Sequence, residues 1–550
     1  MAINDDVTGT LTGLLDGLVA ADPDATAALD RVDDGFRPVS RAALREHAGA
    51  VRALLAAAGV GPGDCVGVWL PNWSDALAWQ FAASGLGAHV IGLNTRYNVE
   101  EVAHVLRRAA PGVLAVAAGF HDLDLVARLR RAVAEVDGPP PLVVPVAGPG
   151  GAAPDPAAFD VGGGTALVDP AATPAAAPDR DGTDLAVAFT TSGSTGLPKL
   201  AAHRERAVVE HGAADAARLG IGPGDVVTVV VPLSGVFGFS TAVAALAGGA
   251  ACLLEPVFDP PATLAAMAAH GATHVVGGDD MVSRLLDAWR AAPVALPRLR
   301  WVGLADFIGR VEEIAEWAAA EFGALASGVY GSSEVFALTL VWPADTPAPR
   351  RWTGGGTPAS PAVRVRIGDP ETGDPLPDGE QGELLVAGPT VVDAYLGSPE
   401  AGAAAFTADG WFRTGDLAVR HPDGGVEFVC RMGDVLRLSG FLVAPAEIEL
   451  RLAAHDDVAT AKVVGARSAE GTPQAVGFVV LRDGATATPD ELRDWCAATL
   501  ARFKVPARVE VVEAMPTTSG TNGTKIRAAT LREWAEQGLP ERRRLVDSRE

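Results

Sequence analysis

The greatest concentration of chemistry in the chain lies in ten residues, Thr190-Thr191-Ser192-Gly193-Ser194-Thr195-Gly196-Leu197-Pro198-Lys199. Glycine permits a tight turn and brings no side chain, so backbone N–H groups and hydroxyls can gather around a phosphate. Lys199 adds a cation at the exit. A Walker-type loop ends in Gly-Lys-Ser/Thr, whereas here Pro198 precedes the lysine and Leu200 follows it, so this is a phosphate loop of another kind. Further on, Tyr330-Gly331-Ser332-Ser333-Glu334 offers an aromatic face, two hydroxyls and a carboxylate. A nucleobase stacks on such a face, and a hard cation such as Mg²⁺ takes such an oxygen. In Gly410-Trp411-Phe412-Arg413-Thr414-Gly415-Asp416-Leu417, Asp416 follows a glycine, where a carboxylate can accept both hydroxyls of a ribose. Taken singly, these stretches also describe a linker, a strand-end turn and a turn-capping aspartate.

The elements that must position these residues follow from periodicity. The run Leu185 to Phe189 reads as a buried strand before the loop, and His203 to Val209 reads as the start of a helix after it. Residues 8–60 read as helices joined by short turns. Strands are expected at Cys65 to Leu70, Ala88 to Leu93 and Val113 to Val116, with helices at Ser74 to Ser84 and between Asn94 and Arg108. Strand–helix–strand alternation of this kind predicts a parallel, doubly wound sheet. Residues 138–181, rich in Pro, Gly and Ala, read as a loop-rich insertion. Alternation resumes at Val226 to Val231, Ala251 to Leu254, His274 to Val276, Leu299 to Gly303 and Gly328 to Gly331. From Val363 short β-type runs between close turns predict a β-rich subdomain, and the last segment reads as a separate α+β domain. The expected organisation is a body over 1–430, a hinge at 431–434 and a mobile domain over 435–550.

A chain of 550 residues exceeds one core, and its 48% hydrophobic and 20% charged composition is globular. The net charge of −24 argues against a nucleic-acid footprint and against an anionic membrane surface. The N-terminus has no basic start of a secretion signal. Cys65, Cys252, Cys430 and Cys496 are far apart and show no metal-ligand spacing, which fits a reduced, cytoplasmic protein. The uncharged run Phe237 to Leu254 is broken by Gly248-Gly249, so a buried helix, turn and strand are expected there, with no stable membrane insertion. Asp279-Asp280 reads as a solvated helix cap, and His203, His211 and His274 as ordinary fold residues. Arg542-Arg543-Arg544, after Pro540, reads as a solvated tail.

Together with Leu70-Pro71-Asn72, Gly92 to Tyr97, Arg431 to Glu449 and Asn522-Gly523-Thr524-Lys525-Ile526, these motifs resemble, in fixed order, the adenylate-forming (ANL) superfamily. That superfamily holds acyl-CoA synthetases, peptide-synthetase adenylation domains and luciferases. The resemblance implies that a carboxylate attacks the α-phosphate of ATP, pyrophosphate leaves, and the acyl-adenylate is transferred to a thiol. It implies that Thr191, Ser192, Gly193, Ser194, Thr195, Gly196 and Lys199 hold the β- and γ-phosphates. Tyr330, beside Gly331 and Ser332, would stack on adenine; Ser333 would meet the α-phosphate; Glu334, with Thr191, would bind Mg²⁺. Asp416, aided by Arg431, would take the ribose, and Lys525 would reach in from the small domain to stabilise charge during attack. Rotation of that domain would then withdraw Lys525 and build a thiol tunnel near Ser439-Gly440-Phe441. Lys504 is either a contact for CoA phosphates or a surface lysine.

The chain departs from the family pattern where the substrate is chosen. After Pro232 it reads Leu233-Ser234-Gly235-Val236-Phe237, without the usual aromatic and histidine, which alters the gate to the acyl pocket. A stretch of small residues is replaced by Gly303-Leu304-Ala305-Asp306-Phe307. The hinge position is Gly433 where a charge is usual, and Lys525 follows Thr524 where glycine is usual. An AMP-forming ligase joining a small fatty or aryl acid to CoA is the leading expectation. The alternatives are a diazotase-like enzyme that activates nitrite for reaction with an aryl amine, and an enzyme that loads a carrier protein. A non-catalytic nucleotide-binding protein is disfavoured because Glu334, Asp416, Arg431 and Lys525 are all present. Oligomeric state stays open.

Overall fold

The computed structural model describes residues 9–537, apart from 34, 122, 174, 176, 178–179, 192–197, 404, 439–440, 444, 469–472, 501 and 521–522. Packing divides the chain into two units, one of residues 1–305, 311–365 and 386–412, the other of 306–310, 366–385 and 413–550.

In the first unit, the strands Ala394–Tyr395, Leu200–Arg204, Leu185–Thr190, His89–Gly92, Cys65–Trp69, Val113–Ala118 and Leu142–Ala147 lie side by side in that order. The pairs from Leu185–Thr190 through to Leu142–Ala147 are parallel. Their apolar runs are buried on both faces, as parallel strands covered by helices require. A second sheet runs from Gly355–Pro358 through Phe336–Val341, Leu325–Ser332, Trp301–Ala305, His274–Gly278, Val226–Val229, Ala251–Leu254 and Thr26–Val32 to Gly35–Ser40. From Leu325–Ser332 to Thr26–Val32 every pairing is parallel, and both ends add antiparallel strands. Val187, Phe189, Val229, Phe239 and Phe336 belong to one buried cluster that holds this unit together. Full burial of each such side chain contributes about 1.5–3 kcal/mol.

The second unit contains the ordered strands Arg364–Gly368, Gln381–Ala387, Phe412–Arg420 and Val426–Arg431, and a sheet of Val458–Arg467, Pro473–Leu481 and Arg508–Val511. The helices Pro445–Ala453, Pro489–Ala497 and Ala528–Gln537 accompany the latter. Architecture of this kind, α/β with a large sheet body and a smaller α+β part, agrees with the expected fold class.

Several local expectations change. Residues 8–60 are not all helix and turn, because an antiparallel pair, Thr26–Val32 with Gly35–Ser40, lies between the helices Leu11–Ala21 and Arg41–Ala57. The insertion 138–181 contains the edge strand Leu142–Ala147, and sheet pairing overrides its proline. The phosphate loop does not lead into a helix. Leu200–Arg204 pairs antiparallel with Leu185–Thr190, so the loop closes a hairpin, and the helix Glu205–Leu219 starts after it. Asp279 is not a solvated cap, since it is 0% exposed in the first turn of its helix. Phe237 to Leu254 falls on the helix Val236–Ala247, a turn and the strand Ala251–Leu254, and among the described residues no helix is long and apolar enough to cross a membrane.

Candidate active site

The two motifs of the first unit stand at the C-terminal ends of parallel strands, where ligands of open α/β sheets collect. At the mouth of the phosphate loop, Thr191 N–H donates to Lys199 O at 2.8 Å, and Lys199 N–H donates to Thr191 Oγ1 at 3.2 Å. Tyr97 shares a 2.7 Å hydrogen bond with Thr190 Oγ1, and His104 Nε2 donates to Pro198 O at 2.6 Å. Burial pushes the Tyr97 phenol up to about 12, so it stays a protonated partner. Two residues outside the loop, Tyr97 and His104, therefore brace its base, while Ser192, Gly193, Ser194, Thr195 and Gly196 lie outside the described residues. Lys199 is exposed, with Nζ 4.8 Å from the centre of the Tyr395 ring. An ammonium over an aromatic face is attracted by the ring's quadrupole. Burial raises the Tyr395 phenol first, and the neighbouring Glu334 raises it further.

Ser333, Glu334 and Val335 form the three-residue turn between Leu325–Ser332 and Phe336–Val341. Ser333 Oγ donates to Thr190 O at 3.1 Å, which ties this turn to the base of the phosphate loop across 143 residues. Glu334 N–H donates to Ser332 Oγ at 3.2 Å, and its carbonyl accepts from Val392 N–H at 2.6 Å. The backbone of Glu334 is thus fixed on both sides, and its half-buried carboxylate is a hard oxygen donor. Tyr330 is 7% exposed. Gly331 has no room for a side chain: a Cβ there would lie 2.3 Å from Phe336 O and 2.6 Å from Ala337 Cα. Thr191 and Glu334 suit a cation that draws most of its oxygens from phosphate and water, as Mg²⁺ does. Among the described residues no group of three or more His, Cys, Asp and Glu could hold a metal by itself.

Of the residues expected to shape a substrate pocket, Ser234, Gly235, Phe237 and Gly303 are buried. Ser234 borders a cavity of about 30 Å³, with Gln80, Gly92, Leu233 and Phe239, which is space for about one water molecule. Gly235 caps the helix Val236–Ala247, and Phe237 is 5% exposed within the core cluster. The side-chain-free face of Gly303 is covered by Trp301, whose indole would lie 2.4 Å from a Cβ there.

In the second unit, Asp416 is 2% exposed and pairs with Arg431 at 3.1 Å, directly across the antiparallel strands Phe412–Arg420 and Val426–Arg431. Arg431 also donates to Thr414 O at 3.0 Å, and Thr414 Oγ1 accepts from Asp416 N–H at 3.1 Å while donating to Leu384 O at 2.7 Å. Gly415, at φ 70°, makes the bend. Glu383 buttresses it, accepting from Gly415 N–H at 3.0 Å and from Arg413. Asp306 is exposed and accepts from Gly309 N–H at 3.0 Å in a turn that also carries Phe307. The stretch 431–434, expected as a hinge, takes in the short turn Met432–Asp434, with Gly433 exposed. Lys525 lies on the strand Gly523–Ile526, opposite Thr518. Lys504 pairs with Glu447 at 2.5 Å. Ser439, Gly440, Asn522, Pro540 and Arg542 to Arg544 lie outside the described residues.

Sequence reasoning missed His104, His203 and Tyr395. Each is tied to a motif by a contact from another part of the chain, and Tyr395 stands on the short edge strand Ala394–Tyr395.

The AMP-binding enzyme family matches residues 16–396, and the AMP-binding enzyme C-terminal domain matches residues 447–521. The chain is 31% identical over 503 residues to 3-[(3aS,4S,7aS)-7a-methyl-1,5-dioxo-octahydro-1H-inden-4-yl]propanoyl:CoA ligase of Rhodococcus jostii (strain RHA1), covering 89% of this chain and 93% of that one. It is 30% identical over 525 residues to feruloyl-CoA synthase of Amycolatopsis sp, covering 88% and 96%. The crystal structure of ATP-bound MatB from Rhodopseudomonas palustris superposes with a TM-score of 0.82 at 27% identity, covering 96% of this chain and 100% of that one. By both domain matches in chain order, and by relatives that share nearly its full length, the chain belongs to the AMP-binding enzymes of the adenylate-forming superfamily and is an AMP-forming acid–thiol ligase.

Proposed function

We propose that the protein activates a small organic acid, fatty or aryl, as its acyl-adenylate and passes the acyl group to CoA. The observation that carries this reading is the bond from Ser333 Oγ to Thr190 O, because it joins a phosphate-loop base to a turn bearing a carboxylate and a hydroxyl. A carboxylate oxygen of the substrate attacks the α-phosphorus, and the bond to pyrophosphate breaks. The thiolate of CoA then attacks the acyl carbon, and AMP leaves.

In this reading the loop hydroxyls and N–H groups with Lys199 hold the β- and γ-phosphates, and Ser333 meets the α-phosphate. Tyr330 lies along the adenine, and Asp416, oriented by Arg431, takes the ribose hydroxyls. Glu334 and Thr191 hold Mg²⁺, which offsets triphosphate charge when bound. Lys525 supplies a preorganised positive charge where negative charge develops, the interaction expected to contribute most when no covalent enzyme intermediate forms. Support for CoA as acceptor comes from the relatives, which are named for CoA esters.

The test is to incubate the protein with ATP, Mg²⁺, CoA and a panel of short fatty and aryl acids. Acid-dependent AMP, pyrophosphate and acyl-CoA are expected. Formation of ADP and phosphate would overturn the adenylation reading. AMP release that requires nitrite with an aryl amine, or a carrier protein in place of CoA, would overturn the acceptor.

A further inference from the structure

The turn Ser333–Val335 contains a conformational anomaly at its exit. Three-residue hairpin loops commonly place a residue at positive φ where the second strand begins, a position that favours glycine. Here it is Phe336, at φ 65°, and Leu338 follows at φ 66°. A left-handed conformation is unfavourable for a residue with a Cβ and persists only where its surroundings enforce it.

Two histidines provide those surroundings. His203, on the strand Leu200–Arg204, is 0% exposed and donates through Nε2 to Ser333 O at 2.7 Å. His211, on the helix Glu205–Leu219, is 3% exposed and donates through Nε2 to Ala337 O at 2.7 Å. A carbonyl oxygen only accepts, so both rings carry their proton on Nε2. The two acceptors lie on either side of Phe336. Its ring packs against the same two imidazoles, 4.1 Å from the centre of His203 and stacked 5.0 Å from that of His211. The 336–337 backbone is also pressed against Gly331.

We propose that His203 and His211 are positioning residues that clamp the turn Ser333–Val335, and so hold Ser333 and Glu334 in place for the triphosphate. This rests on the assignment of Ser333 and Glu334 to ATP. If the wild-type protein makes no AMP, that assignment fails; if it does and the variants below behave like it, only the clamp fails.

The experiment is acid-dependent ATP–pyrophosphate exchange, with KM for MgATP, KM for CoA in the full reaction, and thermal melting, on single variants. His203→Leu and His211→Leu are each expected to raise the KM for MgATP at least tenfold while the KM for CoA stays within about twofold. A glutamine amide reaches the Nε2 position and an asparagine amide reaches only Nδ1. His203→Gln and His211→Gln are therefore expected to stay within about threefold of wild type, and the Asn variants to resemble Leu. Should a leucine variant fail to fold, the Gln and Asn pair decides the matter. In a Phe336→Gly background, where positive φ is unstrained, His211→Leu is expected to cost less than threefold. Wild-type KM for MgATP in folded Leu variants, equal losses in Gln and Asn, or equal losses in both Phe336 backgrounds would overturn the proposal.

Discussion

At the scale of single residues, the groups proposed for nucleotide chemistry include atoms held by several bonds at once. Asp416 is held at its backbone by Thr414 Oγ1 and at its carboxylate by Arg431, so its oxygens have a defined position before any ligand arrives. In the proposed reading, Asp416→Ala removes two charge-assisted bonds to the ribose, about 2–4 kcal/mol in a partly desolvated place. ATP affinity measured by calorimetry should fall correspondingly, and an unchanged affinity would place the ribose elsewhere. Thermal stability should drop much less, because the partner Arg431 is exposed and is rehydrated when the carboxylate goes. Gly331 makes a different demand. A methyl group there meets backbone at 2.3 Å rather than a flexible side chain, so the hairpin itself must move. Gly331→Ala is expected to impair ATP–pyrophosphate exchange at least tenfold even in molecules that remain folded, and full activity in that variant would show that the turn tolerates displacement.

At the scale of elements, the helix Leu11–Ala21 is anchored by a charge that the fold makes costly. Leu11 N–H donates to Glu205 Oε1 at 2.8 Å, and Glu205 is 1% exposed. Burial is the main cause that raises its carboxyl from 4.5 to about 7. Below pH 4.5 both folded and unfolded chains carry the proton; between 4.5 and 7 the unfolded chain releases it while the folded one keeps it, so stability falls as pH rises through that window. Glu205→Gln keeps an oxygen acceptor and carries no charge. It should match wild type near pH 4.5 and exceed it by roughly 2–4 kcal/mol at pH 8 in chemical denaturation; a constant difference across the range would show that Glu205 is solvated. The same region shows how much of the fold was legible. Strands such as Cys65–Trp69 and helices such as Ser74–Ser84 announce themselves through apolar runs and turn residues. Leu200–Arg204, reading Leu-Ala-Ala-His-Arg, has no β-branched residue, and its strand state comes from pairing with Leu185–Thr190. The site was legible where polar residues cluster at strand ends, as at 190–199 and 330–334. Its supports, Tyr97 with His104, were not, because a histidine's role depends on which carbonyl it meets after folding.

At the scale of the whole molecule, Thr191, Lys199, Ser333 and Glu334 belong to the first packing unit, whereas Asp416, Arg431 and Lys525 belong to the second. The proposed chemistry draws on both units, and Lys525 is where that requirement is most exposed to test. Its strand, Gly523–Ile526, forms a hairpin with Thr517–Gly520 in which Lys525 stands opposite Thr518, so the backbone beneath it is ordered by its own ladder. If Lys525 stabilises charge on the attacking oxygen and the α-phosphate, its loss removes one preorganised donor, which typically costs on the order of a hundred- to a thousandfold in rate. Lys525→Ala should therefore suppress ATP–pyrophosphate exchange by that factor while changing ATP affinity little. A chemically prepared acyl-adenylate presented with CoA should still be converted, since in a mechanism with domain rotation the lysine has been withdrawn by then. Lys199→Ala should differ in kind, weakening triphosphate binding more than turnover. Equal slowing of both half-reactions in Lys525→Ala would make that lysine structural, and the two half-reactions would then need to share a single arrangement of the units.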